Sequence, residues 1–186
     1  MALSAFIVHV REAEPVIGEL RERFDPSAQL GVPAHITVLY PFMSPEDVTA
    51  TVIHRVQAVV SGFPAFEFRL KNVGGFPGSV YLAPEPAQPF IDLAHALARA
   101  FPDWPPYGGQ HHSVVPHLTV ARTTTDRMQR INTMLEAALS THGIRARCGE
   151  LELIENSARV WRNLHSFALA AVPSSADGTV LKRAAD

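Results

Sequence analysis

Hydrophobic positions along the chain recur at spacings of two in some stretches and near four in others, and the switches divide it into short strands and helices. Residues Ser4 to Val10 form a largely apolar, β-prone run of strand length. Behind Pro15, a residue suited to a first helical turn, Val16, Leu20 and Phe24 fall four apart and predict a helix. His35 to Tyr40 reads as a second strand, stopped by Pro41. Ser44-Pro45-Glu46-Asp47 has the composition of a helix start, with a capping serine, a proline and acids facing the dipole. Val48, Val52, Val56 and Val59 extend that helix as one stripe until Gly62. Phe66, Phe68 and Leu70 then alternate with Glu67, Arg69 and Lys71, the signature of a strand with one wet face.

The same order returns. A strand from Ser79 to Ala83 precedes a helix from Pro89 to Phe101, striped by Ile91, Ala94, Leu97 and Phe101, and then a strand from His117 to Arg122. Thr124 or Thr125 can cap a further helix whose Met128, Ile131, Leu135, Ala138 and Leu139 face a core before Gly143. Residues 144–154 and 159–171 read as strands. The first strands of the two series begin 75 residues apart and the histidine-bearing strands 82 apart, a difference absorbed by the longer loop 102–116. The expected fold is therefore α+β: a duplicated β-α-β-α-β unit forming two lobes around a central cleft. A single bilobal domain spans 1–172, with halves of approximately 1–74 and 75–172 joined by Gly74-Gly75-Phe76-Pro77-Gly78, and 173–186 forms a loose tail.

Composition narrows the function classes. The 47% hydrophobic and 18% charged content is that of a globular protein, and no apolar run approaches membrane-spanning length. With Cys148 as the only cysteine and no signal-peptide pattern, a cytoplasmic monomer away from membranes is expected. Residues 1–93 carry 6 basic and 10 acidic groups, and residues 94–186 carry 10 and 8. That imbalance is too slight for gripping long duplex nucleic acid, so any RNA partner is short or held by its end.

Two segments carry the chemistry, His35-Ile36-Thr37-Val38 and His117-Leu118-Thr119-Val120. On a strand, His35 and Thr37 share one face while Ile36 and Val38 anchor the other, and the second segment repeats this. From the composition, about 0.1 matches to His-apolar-Thr-apolar are expected by chance, so a pair has a probability of roughly 0.005. If the lobes face each other, two histidines approach one ligand from opposite sides. One, neutral, can take a proton from water, and the other, protonated, can give one to a departing oxygen across phosphorus. The threonine hydroxyls can meet the non-bridging oxygens. The scheme needs no metal or other cofactor.

These segments, with the flanking Pro116 and Ala121-Arg122, resemble the two signature motifs of the 2H phosphoesterase superfamily, especially its 2′-5′ RNA ligase-like branch, over residues 4–171. The resemblance implies a bilobal α+β fold, catalytic roles for His35, Thr37, His117 and Thr119, and hydrolysis of 2′,3′-cyclic phosphates on RNA ends or small nucleotides to 2′-phosphates. RNA ligation, a cyclic phosphate of ADP-ribose as substrate, and a non-catalytic binder of nucleotides or RNA ends are the alternatives.

Lesser candidates lie near the motifs. Tyr40, Phe42 and Tyr107 are aromatics able to stack a base. Arg122 could hold a phosphate, although strict alternation puts it out of phase with His117 and Thr119. His111 and His112 raise a zinc site, disfavoured because adjacent side chains on extended backbone diverge and no cysteine is near. The remaining histidines read as scaffold or surface.

Overall fold

The computed structural model describes residues 2–110, 113–139 and 142–171. The tail and His111 and His112 thus lie outside the described residues. In chain order the elements are β1 (Ser4–His9), α1 (Glu14–Phe24), the one-turn α2 (Pro26–Gln29), β2 (His35–Phe42), α3 (Ala50–Val60), β3 (Phe66–Phe76), β4 (Ser79–Glu85), α4 (Gln88–Ala100), β5 (Leu118–Arg122), α5 (Thr125–Leu139), β6 (Ile144–Cys148), β7 (Glu150–Glu155) and β8 (Arg162–Ala168). They form two four-stranded antiparallel sheets, ordered β2-β1-β7-β8 and β5-β4-β3-β6. The two-lobed α+β architecture is the one the sequence predicts.

The lobes do not divide the chain near residue 74. β3, which closes the first repeat, pairs with β4 in the second sheet, and β7, late in the second repeat, pairs with β1 in the first. The first repeat thus lends β3 to the other sheet, and the second lends β7 together with β8. The segment 74–78 is consequently a hairpin tip, not a tether between lobes: Gly74, Gly75 and Phe76 pair with Tyr81, Val80 and Ser79 across a turn at Pro77-Gly78. A glycine-rich stretch looks like a linker in sequence, yet the strand ladder runs through it.

Helix positions agree with the hydrophobic pattern more closely than helix faces do. In α1 the buried residues are Ile17 and Arg21, while Val16 is exposed. An arginine on the inner face hides the true stripe from a hydrophobicity count. The turn at Pro45–Asp47 is 3-10 and separate from α3, because Val48 and Thr49 leave helical backbone and the Thr49 hydroxyl accepts from Val52 N as the actual cap. α5 buries Ile131, Leu135 and Leu139 and leaves Ala138 exposed.

β1 is covered on both faces. Phe6 and Val8 enter the main core, while Ala5 and Ile7 join Val32 and Ile154 in a small apolar cluster flanked by Tyr40 and Trp161. This explains why Ala5 to Val8 is continuously apolar rather than alternating.

Candidate active site

β2 and β5 are edge strands of their respective sheets and approach one another. His35, Thr37, His117 and Thr119 line one cleft of about 310 Å³ between them. Both imidazoles are fixed by the same local device. His35 Nδ1 lies 2.8 Å from the Pro33 carbonyl, and His117 Nδ1 lies 2.7 Å from the Val115 carbonyl, each two residues upstream. A carbonyl only accepts, so Nδ1 must carry the proton, leaving Nε2 as the nitrogen available to a ligand.

Both strands also bulge just after the motif. In β2 the partner register moves from Ile7 opposite Thr37 to Phe6 opposite Leu39, and in β5 from Tyr81 opposite Thr119 to Val80 opposite Ala121. The inserted residue puts two consecutive side chains inside, Val38 with Leu39 and Val120 with Ala121. The next residue is thereby returned to the cleft side. Arg122 and Tyr40 both line the cleft for this reason, each three positions beyond its threonine. Simple alternation, which put Arg122 out of phase, fails at the bulge.

Ala5, Ile7, Val32 and Ile154 make the cleft floor apolar. Burial lowers the His35 pKa from 6.5 to about 4; the Pro33 hydrogen bond and Asp25 oppose the shift, while Arg21 and His117 add to it. His117 is lowered by burial as well, with Arg122 contributing and the Val115 carbonyl opposing. An empty cleft therefore favours two neutral imidazoles at neutral pH.

Close to His35 lies a buried ion pair. Arg21 and Asp25, 2% and 1% exposed, are 2.9 Å apart. Arg21 also donates to the Val32 carbonyl and Ser27 Oγ, while Asp25 accepts from Ser27 N and Oγ. Glu14 adds a hydrogen bond from Ala34 N at 2.6 Å. These contacts fasten the backbone on both sides of Pro33, whose carbonyl orients His35.

His117 is held differently. Its ring lies 5.1 Å from that of Phe76, edge to face, and 5.3 Å from that of Tyr81. Gly74 makes room for this stack, since a Cβ there would stand 2.5 Å from Tyr81 Cε2. Gly74→Ala is therefore expected to displace Tyr81 and tilt His117, lowering kcat about 10-fold or more while KM changes little, a split that steady-state kinetics reads directly.

Known proteins share the sequence pattern and the fold. The pattern of the 2′-5′ RNA ligase superfamily matches residues 9–159. The chain belongs to that superfamily. A Bacillus cytotoxicus protein bearing the name of a phosphoesterase is 28% identical over 110 residues, which cover 58% of this chain and 61% of that relative. The fold matches TT0787 of Thermus thermophilus at 18% identity and a TM-score of 0.59, covering 91% of this chain and 98% of that one. It also matches E. coli LigT, crystallised with 3′-AMP, at 18% identity and a TM-score of 0.54, over the same shares.

Within this superfamily member, three of the four lesser candidates reach the cleft: Tyr40, Tyr107 and Arg122. Phe42 does not. It is 2% exposed and packs among Phe6, Phe101 and Trp104 at ring distances of 4.8, 5.2 and 5.6 Å, so it is core and not a stacking surface. Tyr107 sits in left-handed backbone (φ 53°, ψ 32°), unusual for a tyrosine, and burial raises its pKa. Trp161, Asp25 and Ser27 are cleft residues that sequence reasoning missed. Trp161 is brought there by pairing of its N–H with the Leu30 carbonyl, and its ring is 6.3 Å from Tyr40, edge to face. No motif marks it; its neighbours come from distant parts of the chain. Among the described residues no group of three or more His, Cys, Asp or Glu is placed to hold a metal.

Proposed function

We propose that this chain hydrolyses 2′,3′-cyclic phosphates, on RNA ends or small nucleotides, by metal-independent acid–base catalysis and leaves a 2′-phosphate. The observation that carries the reading is the convergence of two identically oriented histidines, each with its threonine, on one cleft. His35, the more strongly kept neutral, takes the proton from the attacking water through Nε2. His117 gives a proton to the departing ribose oxygen. A bound phosphate supplies the negative charge that raises its pKa towards neutrality. Thr37, Thr119 and Arg122 receive the non-bridging oxygens, and the apolar floor strengthens those contacts by excluding water. Tyr40, Tyr107 and Trp161 offer faces for the base and ribose.

Purified protein is expected to convert 2′,3′-cyclic mononucleotides or a short cyclic-phosphate RNA to 2′-phosphates at the same rate with and without a chelator. Inertness towards both substrates would sink the proposal, and loss of activity on chelation would remove its metal-independence. A product joined to a second RNA end would favour ligation, activity confined to a cyclic phosphate of ADP-ribose would narrow the substrate, and tight binding without turnover would leave a recognition module.

A further inference from the structure

A second concavity, of about 450 Å³, lies between α1 and α5, lined by Leu20, Arg23, Phe24, Arg127, Arg130, Ile131 and Met134. Its floor is apolar and its walls are basic. On α5 the residues 127, 130, 131 and 134 follow the helical spacing that makes one face, and the Arg23 guanidinium lies over the Phe24 ring at 5.2 Å. All three arginines are exposed, and among the described residues none of them is in an ion pair. Glu19, Glu22 and Asp126 belong to the same helices, yet no acid lines the groove. The charged side chains that line it are therefore all of one sign.

The groove and the cleft are lined by neighbouring stretches of the chain. Phe24 lines the groove and its neighbour Asp25 the cleft, while Arg122 of the cleft leads within a few residues into Arg127 at the start of α5. α1, which lends residues to the groove, packs directly against β5, which carries Thr119 and Arg122 of the cleft and directly follows His117. A 2′,3′-cyclic phosphate ends an RNA chain at its 3′ side, so the preceding nucleotides must leave the cleft along some surface.

We propose that the α1–α5 groove is that surface: Arg23, Arg127 and Arg130 bind successive backbone phosphates of a single-stranded RNA whose cyclic end occupies the cleft, and Phe24 and Met134 lie against sugars or bases. This rests on the phosphodiesterase reading and selects an RNA chain over a free mononucleotide as the preferred substrate. It also reconciles the weak net charge with an RNA partner, because only the terminal few phosphates are gripped.

The test compares a 2′,3′-cyclic mononucleotide with a short single-stranded RNA bearing the same cyclic end, on the wild type and on the triple variant R23Q/R127Q/R130Q. The wild type is expected to show a higher kcat/KM on the RNA. Three phosphate contacts at about 0.7 each in the logarithmic salt slope imply that fourfold more salt weakens RNA binding about 20-fold. The triple variant is expected to keep mononucleotide turnover and lose both the RNA preference and that salt slope. Equal kcat/KM on the two substrates, or a triple variant that retains preference and slope, overturns the proposal. If the wild type hydrolyses neither, the phosphodiesterase reading fails, and fluorescence anisotropy with an RNA carrying an ordinary 3′-phosphate judges the groove alone: binding lost in the variant supports it, and binding unchanged or absent overturns it. Displacement of RNA by polyglutamate as readily as by unlabelled RNA would assign the groove to acidic protein segments instead. Should the triple variant misfold by circular dichroism, R130Q alone, with R130K as the charge-preserving control, carries the same comparison.

Discussion

His35→Ala and His117→Ala are each expected to lower kcat by about 10²- to 10⁴-fold on a 2′,3′-cyclic phosphate, the range for removal of a positioned acid or base. The double variant should lose little more than the worse single one, since in the proposed mechanism both proton transfers serve one displacement at phosphorus. A substrate whose leaving group needs no proton, such as a nitrophenyl phosphodiester, separates their roles. It is expected to restore much of the rate to His117→Ala and none to His35→Ala. Restoration of His35→Ala instead would exchange the assignments. The pH profile follows from the same burial. With His35 neutral above about 4 and His117 protonated only below its ordinary 6.5, kcat/KM of the free enzyme should peak on the acid side of neutrality. Stability moves the opposite way there. The unfolded chain protonates its His35 at 6.5 and the folded one at about 4, so lowering pH through that window favours unfolding.

Arg21→Met is expected to destabilise the protein by about 3–5 kcal/mol, because it strands the Asp25 carboxylate at 1% exposure. The loss should be readable as a shift in denaturation midpoint at unchanged m-value. Replacing both partners by apolar residues of similar volume should cost far less, since no charge is then left behind. A denaturation midpoint in Arg21→Met equal to the wild type would show that the pair contributes nothing. Because Arg21 also holds the Val32 carbonyl beside Pro33, surviving activity in the doubly apolar variant would report how far the loop positions His35 without its ionic pin.

Much of this site is legible in the chain itself. The repeated His-x-Thr-x pattern places four residues correctly in one cleft because strand alternation is a local rule, decided by backbone geometry alone. Phe42 misleads for an equally physical reason. Two residues past Tyr40, it has a sequence neighbourhood that says aromatic and near a motif, but its burial is decided by Phe6, Phe101 and Trp104 from other elements. Arg122 is put back in phase by the bulge at Val120-Ala121, a feature of strand pairing that a single strand does not announce. The ion pair of Arg21 and Asp25 is invisible in sequence because buried charge looks like surface charge in a hydrophobicity pattern. Trp161 joins the cleft through long-range contacts, its backbone N–H on the Leu30 carbonyl and its ring against Tyr40.

The exchange of strands between the two repeats bears on biosynthesis. As the chain leaves a ribosome, β1 and β2 emerge early, but β1 must wait for β7 and β8, more than a hundred residues later, before the sheet carrying His35 is whole. Severing the chain at the Pro77-Gly78 turn would leave β3 on a fragment without the rest of its sheet, and β7 and β8 on the other fragment without theirs. Neither is then a lobe, and any catalytic power has to come from their reassociation.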